Sequence, residues 1–339
     1  MKIKAADYQL VLETPFAIAR GTTSVHSICV AEIEHQGVRG LGEASPSAYY
    51  GDSMEQARQA IIGAASLLGD DPFALEAVAA ALLERFASSP SGRVAVEAAL
   101  YDIVGKLTGR PVYRLLGLGG LQPPPTSLTV GVTDVSHAER RIEYLRKFPI
   151  LKVKLGFGEE YKLLSLLRRE TDAVLRADAN EGWSLEEAVR RINAYSGEFG
   201  VEFFEQPLPK EDLEGYRALR EKTRTPVIID EGVRCKEDVL RWSGLVDGIN
   251  VKLMKCGGIR ETVRTIDVAR ASGLKVMLGC MIESSLGISA AWHIAPLVDY
   301  CDLDGNLLIT NDPFTGLKAT AGRVSLTDLP GLGVIAALQ

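Results

Sequence analysis

Several features that identify other classes of protein are missing from this 339-residue sequence. No apolar run approaches the roughly 18 residues that a membrane-spanning helix requires. The N-terminal segment MKIKAADYQLVLET lacks the apolar region of a signal peptide. We therefore expect a cytoplasmic protein with no membrane partner. The net charge is −6, without any lysine- or arginine-rich stripe, which argues against a nucleic-acid partner.

The cysteines and histidines are too few and too scattered to suggest a zinc site. Five cysteines occur without a CxxC pair, and the four histidines form no HExxH pattern. Free cysteines are the simplest interpretation of this spacing. Any metal in this protein is therefore expected to be bound by oxygen ligands.

The first 122 residues have the pattern of an α+β domain. Alternating strand-like runs are followed by three helical stretches, MEQARQAIIGAASLLG, FALEAVAAALLERFA and SGRVAVEAALYDIVGKLTG. Ser53 can cap the first helix, Pro72 is expected in the first turn of the second, and Gly109 ends the third. The proline-rich stretch LQPPPTS, at 121–127, is typical of a linker.

After the linker, short apolar runs alternate with amphipathic helical stretches. The runs are SLTVGV, ILKVKLG, AVLRADAN, VEFFEQP, TPVIIDE, GINVKLMK, KVMLGCMIE and CDLDGNLL. Such alternation indicates βα units and a parallel sheet. Eight units favour a (β/α)₈ barrel, with an open doubly wound sheet as the alternative. We assign 123–319 to this barrel and 1–122 to the first domain, to which the tail at 320–339 is expected to return.

Ionisable and amide side chains recur at the C-terminal ends of the predicted strands. They are Lys152, Lys154, Asp178, Asn180, Glu205, Asp230, Glu231, Lys252, Asp302 and Asp304. The steps from Lys154 to Asp178, Glu205, Asp230 and Lys252 are 24, 27, 25 and 22 residues. One βα unit of a barrel takes roughly 25–30 residues, so these positions are equivalent on successive strands and converge on one mouth of the barrel.

This convergence predicts a metal site with two bases. Asp178, Glu205 and Asp230 would repel one another if buried without a cation. An all-oxygen set suits Mg²⁺, with Mn²⁺ as a substitute. Lys154 and Lys252 come from opposite sides, and a lysine beside a cation has a lowered pKa and can act as a base. A single strand-end aspartate is more often a helix cap, but the ordered set is hard to explain as solvated surface.

The set resembles the muconate-lactonizing enzyme subgroup of the enolase superfamily over nearly the whole chain. The motifs are LKVKLG, RADANEGW, EQP, DE and NVKLMKCGGI. The resemblance implies an α+β capping domain followed by a (β/α)₇β barrel. It also implies Mg²⁺ on Asp178, Glu205 and Asp230. Lys154 would serve the (R) substrate and Lys252 the (S) substrate, through an ene-diolate intermediate.

The last run, CDLDGN, resembles the D-x-D motif of dipeptide epimerases. Asp302 and Asp304 suit the ammonium group of a dipeptide, which an N-acylated amino acid or a muconate lacks. They could instead cap the last barrel turn. The resemblance implies epimerisation of a small-molecule dipeptide at the α-carbon of its C-terminal residue, with the murein-derived L-Ala-D-Glu as a candidate. The alternatives are an o-succinylbenzoate synthase, an N-acylamino acid racemase, or a ligand-binding barrel without chemistry.

Other positions follow the same resemblance. Thr129, Cys280 and Ile282 would line the dipeptide site, with Asn180 and Glu231 in supporting roles. Lys152 would bind the substrate carboxylate and lower the pKa of Lys154. Arg20, in the segment TPFAIARGTTSVH, would bind an acidic side chain, with a solvated arginine as an equal interpretation. A homo-oligomer is compatible with the sequence.

Overall fold

The computed structural model describes residues 1–18, 21–131, 135–317, 319–325 and 328–337. The chain begins with an antiparallel sheet in the order β1 (Lys2–Ile18), β2 (Gly21–His35) and β3 (Val38–Ala44). Four helices follow, α1 (Met54–Gly63), α2 (Leu75–Arg85), α3 (Pro90–Thr108) and α4 (Val112–Leu115). This sheet and these helices are called the cap below.

Helix α3 lies directly on strand β3. Gly40 and Gly42 allow this approach, because a Cβ at either position would lie 2.1 Å from a carbonyl oxygen of α3. Nearly the whole of α3 is buried, so it forms the centre of the cap. Its end at Gly109, with φ 64°, confirms the predicted boundary.

The helix starts in the cap were predicted with mixed success. Ser53 caps α1 as predicted, since its side chain accepts a hydrogen bond from the backbone N–H of Gln56. The prediction for α2 was wrong, because this helix begins at Leu75 and Pro72 precedes it. The side chain of Asp71 accepts a hydrogen bond from the backbone N–H of Phe73 (2.9 Å), which favours a local turn over a helical turn there.

The second part of the chain is an eight-stranded parallel barrel. Its strands are β4 (Leu128–Val130), β5 (Ile150–Lys154), β6 (Val174–Asp178), β7 (Val201–Glu205), β8 (Val227–Ile229), β9 (Gly248–Lys252), β10 (Lys275–Gly279) and β11 (Tyr300–Asp302). They pair in chain order, and a parallel bridge between Thr126 and Cys301 joins the first strand region to the last. The barrel prediction is therefore confirmed over the open-sheet alternative.

Helices separate successive strands of the barrel. They are α5 (Val135–Arg140), α6 (Ile142–Leu145), α7 (Glu160–Glu170), α8 (Leu185–Phe199), α9 (Leu213–Lys222), α10 (Lys236–Val239), α11 (Leu253–Cys256), α12 (Ile259–Ala271) and α13 (Ser285–Trp292). After β11 the described residues form only a 3₁₀ turn, Gly305–Leu307, before the tail. This order is the (β/α)₇β arrangement.

The strand register explains why the strand-end residues converge. Lys154 pairs with Asp178 and Asp178 with Glu205 across neighbouring strands. On the other side of the barrel, Lys252 and Asp302 both pair with Gly279. The C-terminal ends of the strands are therefore level with one another, so one end of the barrel collects these side chains.

The C-terminal tail contacts both parts of the chain. It forms two short antiparallel pairs, β12 (Phe314–Thr315) with β15 (Ile335–Ala336), and β13 (Ala319–Thr320) with β14 (Arg323–Val324). The N–H of Leu332 donates to Asp102 on α3, and its carbonyl accepts from Ser289 on α13. The division at 122/123, with 320–339 returning to the cap, stays a prediction. None of the helices in the described ranges has the length and apolar character needed to cross a bilayer.

Candidate active site

A cavity of about 440 Å³ opens at the C-terminal ends of the barrel strands, beneath the cap. Most of the predicted residues line this central cavity, namely Thr129, Lys152, Lys154, Asn180, Asp230, Lys252, Cys280, Ile282, Asp302 and Asp304. Asp178, Glu205 and Glu231 do not line it and are buried. Arg20 lies outside the described residues. The sequence did not single out the residues that complete the lining, Thr23, His26, Ser47, Tyr49, Tyr50, Met281 and Leu308.

Lys152 lies at the centre of the buried carboxylates. Its Nζ is 2.6 Å from Oε2 of Glu205, 2.7 Å from Oδ2 of Asp302 and 3.1 Å from Oδ2 of Asp178. Burial alone lowers the pKa of Lys152, but the surrounding carboxylates outweigh it and raise the pKa well above its ordinary value. Lys152 is therefore the cation that balances charge at the centre of this cluster.

The two lysines predicted to be bases stand on opposite sides of the barrel. Lys154 is on the second strand in barrel order and Lys252 on the sixth, four strands apart in a barrel of eight. The Nζ of Lys154 lies 2.6 Å from Asp178, and the Nζ of Lys252 lies 2.8 Å from Asp230. Both side chains line the central cavity, which places them on either side of anything bound there.

The pKa of Lys252 is raised in the structure, opposite to the direction expected from the sequence. Burial is the largest single cause and lowers the pKa, but the carboxylate of Asp230, with a smaller contribution from Glu205, raises it by more in total. A divalent cation shared by these carboxylates would repel the ammonium group and favour the neutral amine. The expectation of a neutral base at Lys252 thus depends on such a cation.

The three predicted ligands have very different proton affinities. Burial raises the pKa of Asp178, but the ammonium groups of Lys154 and Lys152 outweigh it and hold this pKa at about 2. Burial and the charge of Asp178 raise the pKa of Glu205 to about 7. For Asp230, the lysines outweigh burial and keep the pKa well below its usual range. Glu205 is therefore the ligand whose negative charge a divalent cation would stabilise most.

The donor chemistry of these three residues fits a hard divalent cation. Their carboxylates are fully or almost fully buried, and Oε2 of Glu205 has no aligned hydrogen bond although Nζ of Lys152 is 2.6 Å away. In the described part of the chain, no three His, Cys, Asp or Glu side chains are grouped as around a bound metal. Lysine ammonium groups, themselves cations, lie against these carboxylates. The oxygens are of the kind that Mg²⁺ prefers.

Lys255 is a further member of the site that the sequence interpretation missed. Its side chain is completely buried on α11, and its Nζ donates to Oδ1 and the carbonyl of Asp230 and to the carbonyl of Asn250, all at 2.7–2.8 Å. Asn250 in turn donates to Oε1 of Glu205 at 2.8 Å. The motif NVKLMK contains both Lys252 and Lys255, so the three-residue step between them could have identified Lys255 from the sequence.

Replacing Lys255 by Met is expected to destabilise the fold by about 3–5 kcal/mol, because it removes one partner of a buried ion pair. Methionine keeps the length of the side chain but loses all three hydrogen bonds. Urea unfolding monitored by circular dichroism measures the effect, with Lys147→Met, at an exposed lysine, as the control. Equal unfolding midpoints for the two variants would show that Lys255 does not hold Asp230 in place.

The backbone is strained where the ligand-bearing strands end. Asn180, Glu181 and Gln206 have φ values of 45°, 67° and 41°, which residues other than glycine seldom adopt. Gln206 compensates through hydrogen bonds, since its Oε1 accepts from the N–H of Asp230 and its Nε2 donates to the hydroxyl of Tyr216. These backbone conformations turn the chain where β6 and β7 end, beside the site.

The two aspartates after the last strand differ in their surroundings. Asp302 contacts Nζ of Lys152 at 2.7 Å and accepts from the hydroxyl of Ser127 at 2.6 Å. Asp304 accepts the backbone N–H of Thr129 at 2.5 Å and forms no ion pair with any residue that the structure describes. Burial and the charge of Asp302 raise the pKa of Asp304 to about 6. Asp304 is therefore the carboxylate that still needs a cationic partner.

Tyr49, between β3 and α1, makes one of the contacts that hold the cap over the cavity. The hydroxyl of Tyr49 donates to Oε2 of Glu181 at 2.7 Å and accepts from Nζ of Lys210 at 2.6 Å. Glu181 follows β6 and Lys210 follows β7, so both contacts lie beside the strands that carry Asp178 and Glu205. The roof of the cavity and its floor are thus fixed to each other.

Comparison with known proteins gives relatives over the whole chain. Residues 2–117 match the N-terminal domain of the mandelate racemase/muconate lactonizing enzymes, and residues 134–336 match the enolase C-terminal domain-like family. The L-Ala-D/L-Glu epimerase of Bacteroides thetaiotaomicron is 38% identical over 337 residues, which are 99% of this chain and 88% of that protein.

Solved structures agree with this relationship. A substrate-liganded complex of the L-Ala-D/L-Glu epimerase from Bacillus subtilis superposes with a TM-score of 0.92 and 32% identity, covering 100% of this chain and 99% of the other. The dipeptide epimerase from Enterococcus faecalis, complexed with Mg and L-Leu-L-Tyr, gives 0.89 and 30%, covering 98% of each chain. The chain therefore belongs to the mandelate racemase/muconate lactonizing enzyme family of the enolase superfamily.

Proposed function

We propose that this protein is a dipeptide epimerase that moves a proton at the α-carbon of the C-terminal residue. The observation that carries the proposal is the placement of Lys154 and Lys252 on diametrically opposite strands, both lining one cavity. Inversion of a carbon requires proton removal from one face and delivery to the other. Two lysines on opposite sides of one cavity provide both groups.

In the proposed reaction, one lysine removes the α-proton of the substrate and the opposite lysine delivers a proton to the other face. A neutral lysine amine takes the α-proton, and the C–H electron pair passes into the substrate carboxylate as a second negative charge. The opposite lysine, as an ammonium, donates a proton to the other face of the carbon. Lys152 lies beside the same site, and its ammonium group would favour the anionic species. By the family resemblance, Lys154 acts on the (R) epimer and Lys252 on the (S) epimer.

The residues that would hold Mg²⁺ are Asp178, Glu205 and Asp230, at the ends of β6 and β7 and just beyond β8. When bound, Mg²⁺ would supply positive charge for the substrate carboxylate as its negative charge increases. The complexes of related epimerases with Mg and dipeptides support the choice of Mg²⁺ as the ion. Asn250 and Lys255 would keep two of the three carboxylates in position.

A dipeptide fits the uncompensated charge at Asp304 better than an N-acylated amino acid does. The free ammonium group of a dipeptide would give Asp304 the cationic partner that it lacks. An acylated nitrogen carries no charge and would leave this carboxylate buried and unpaired, which is unfavourable. The 38% identity to an L-Ala-D/L-Glu epimerase makes L-Ala-L-Glu and L-Ala-D-Glu the first substrates to test.

Substitution of Asp304 by Asn is expected to lower kcat/KM for free dipeptides by at least about 30-fold, since losing a buried charge partner costs about 2–5 kcal/mol. The same variant should change kcat/KM for N-acetylated dipeptides far less, because they carry no ammonium. The ratio of the two kcat/KM losses is the measurement. Equal losses on both substrate classes would mean that Asp304 is structural.

A substrate screen in D₂O tests the proposed function itself. Mg²⁺-loaded protein is incubated with a library of L-Ala-X dipeptides and, in parallel, with N-succinyl amino acids and o-succinylbenzoate precursors. Deuterium incorporation at the α-carbon, followed by proton NMR, is expected for dipeptides. Turnover confined to the N-succinyl compounds would favour the racemase alternative. No exchange with any compound would favour a binding barrel without chemistry.

A further inference from the structure

Two buried glutamates outside the proposed reaction join the cap to the wall of the central cavity. Glu43 lies on β3 and is 1% exposed, and Glu283 follows β10 and is 2% exposed. Met281 and Ile282, which line the cavity, immediately precede Glu283. Glu43 therefore belongs to the cap, and Glu283 belongs to the wall that Met281 and Ile282 form.

Glu43 has the surroundings of a carboxylate anion. Its Oε1 accepts the backbone N–H of Ser284 at 3.0 Å, and its Oε2 accepts the hydroxyl of the same residue. Ser284 is the N-cap of α13, so Glu43 also lies beside the positive end of this helix. The two hydrogen-bond donors of Ser284 and the positive end of α13 both favour the charged form of Glu43.

Glu283 has the surroundings of a neutral acid. Its Oε1 accepts the backbone N–H of Met281 at 2.8 Å, while its Oε2 is buried without a hydrogen-bond partner. An ionised oxygen buried without a donor is costly. A protonated oxygen needs only an acceptor, which a neighbouring carboxylate can provide.

The two carboxyl groups converge on Gly287, in the first turn of α13. A Cβ placed on Gly287 would lie 2.6 Å from Oε2 of Glu283 and 3.0 Å from Oε1 of Glu43. Both oxygens therefore border the same small space, which a side chain at this position would fill. Glycine at this position leaves room for both carboxyl groups.

Few other charges face this pair. Asp312 lies near Glu43 and accepts from the N–H and hydroxyl of Ser285, and Lys252 lies nearer to Glu283. His26, on β2, contacts Ser45, whose hydroxyl donates to the carbonyl of Ile282. Neither glutamate forms an ion pair with a residue in the described ranges, so a proton is the remaining way to balance their charge.

We propose that Glu43 and Glu283 together hold one proton at neutral pH, carried by Glu283, and that this pair positions the Met281–Ile282 wall against the cap. Burial raises the pKa of Glu43 to about 7, and burial together with the charge of Glu43 raises that of Glu283 to about 8. Glu283 is thus the last to ionise. Its positioning role in catalysis rests on the proposed function, whereas the shared proton does not.

The variant Glu283→Gln tests whether Glu283 carries this proton. Its amide keeps a donor where the proposed O–H lies, so it should fold like the wild type at pH 7. A carboxyl with a raised folded-state pKa stabilises the fold below its unfolded pKa, near 4.5, and this contribution is lost as the pH rises to about 8. Relative to the variant, the wild-type unfolding constant should rise by up to about tenfold per pH unit between pH 5 and 8.

Urea unfolding at pH 5, 6, 7, 8 and 9 measures this difference, and the exposed Glu214→Gln is the control that should follow the wild type. Glu43→Gln should be less stable than Glu283→Gln at pH 7, because an amide NH₂ would replace one of the two oxygens that accept the donors of Ser284. Equal pH dependence for wild type and Glu283→Gln would overturn the shared proton, whatever the enzymatic activity.

A separate measurement tests the positioning role of Glu283. Above pH 8, KM for a dipeptide should rise more steeply in the wild type than in Glu283→Gln, with kcat similar in both, because loss of the dipeptide's own ammonium proton affects both proteins equally. Identical KM profiles in active wild-type and Glu283→Gln enzymes would overturn the positioning role while leaving the shared proton intact. A protein that turned over no dipeptide would refute the proposed function, and the unfolding measurements would still decide on the proton.

Discussion

Lys154→Ala and Lys252→Ala are each expected to abolish net epimerisation in both directions, by about 10⁴-fold or more, because every inversion needs both an acid and a base. Each variant should nevertheless keep one half-reaction. Lys154→Ala retains Lys252 and should exchange the α-proton of the (S) epimer with D₂O, returning deuterium to the same face. Lys252→Ala should do the same with the (R) epimer only.

Proton NMR in D₂O on the two purified epimers measures this pattern. Lys147→Ala, at an exposed lysine, is the matched control and should epimerise both at the wild-type rate. Exchange of both epimers by either single variant would contradict two bases on opposite faces. The remaining exchange is expected to be slower than in the wild type, because each lysine also contributes positive charge near the substrate carboxylate.

Asp178→Asn, Glu205→Gln and Asp230→Asn should each lower turnover by about 10³-fold or more, since each removes a negative charge from the proposed Mg²⁺ site and weakens the stabilisation of charge in the transition state. Isothermal titration with Mg²⁺ should show weaker binding for all three, independently of activity. Treatment with EDTA should inactivate the wild type, and Mg²⁺ or Mn²⁺ should restore it.

Asp299→Asn is the matched control for these variants, because Asp299 lies at the opposite end of the barrel and pairs with Arg270 and Lys275. It should bind Mg²⁺ and turn over substrate like the wild type. If EDTA-treated protein kept its full rate, the metal assignment would be wrong. Wild-type Mg²⁺ affinity in all three ligand variants would contradict it as well.

The ionic contacts of the site show how a metal and the lysines compete for the same carboxylates. Lys154 pairs with Asp178, and Lys252 with Asp230, at hydrogen-bonding distance. A cation on these carboxylates would weaken both ion pairs and lower the proton affinity of both amines. Metal binding and the formation of a neutral base are thus expected to be coupled in this protein.

The sequence by itself determined the barrel and the identity of its strand-end groups. The steps of 22 to 27 residues from Lys154 to Lys252 follow from the length of a βα unit, which is a local property of the backbone. Because parallel strands end at the same edge, regular spacing is enough to predict that Asp178 and Glu205 become neighbours, and their register confirms it. The motif CDLDGN likewise predicted the last barrel strand, which the structure shows as β11.

Only the tertiary structure decided which charge neutralises which. Asp302 and Asp304 are equivalent in the sequence, yet Asp302 pairs with Lys152 and Asp304 lacks an ion pair among the described residues. For the same reason, spacing could not show the partners of Lys255 or the pairing of Glu43 with Glu283. Periodicity reports backbone geometry and burial, whereas the partner of a buried charge depends on side chains that other strands, helices and the cap bring within about 3 Å.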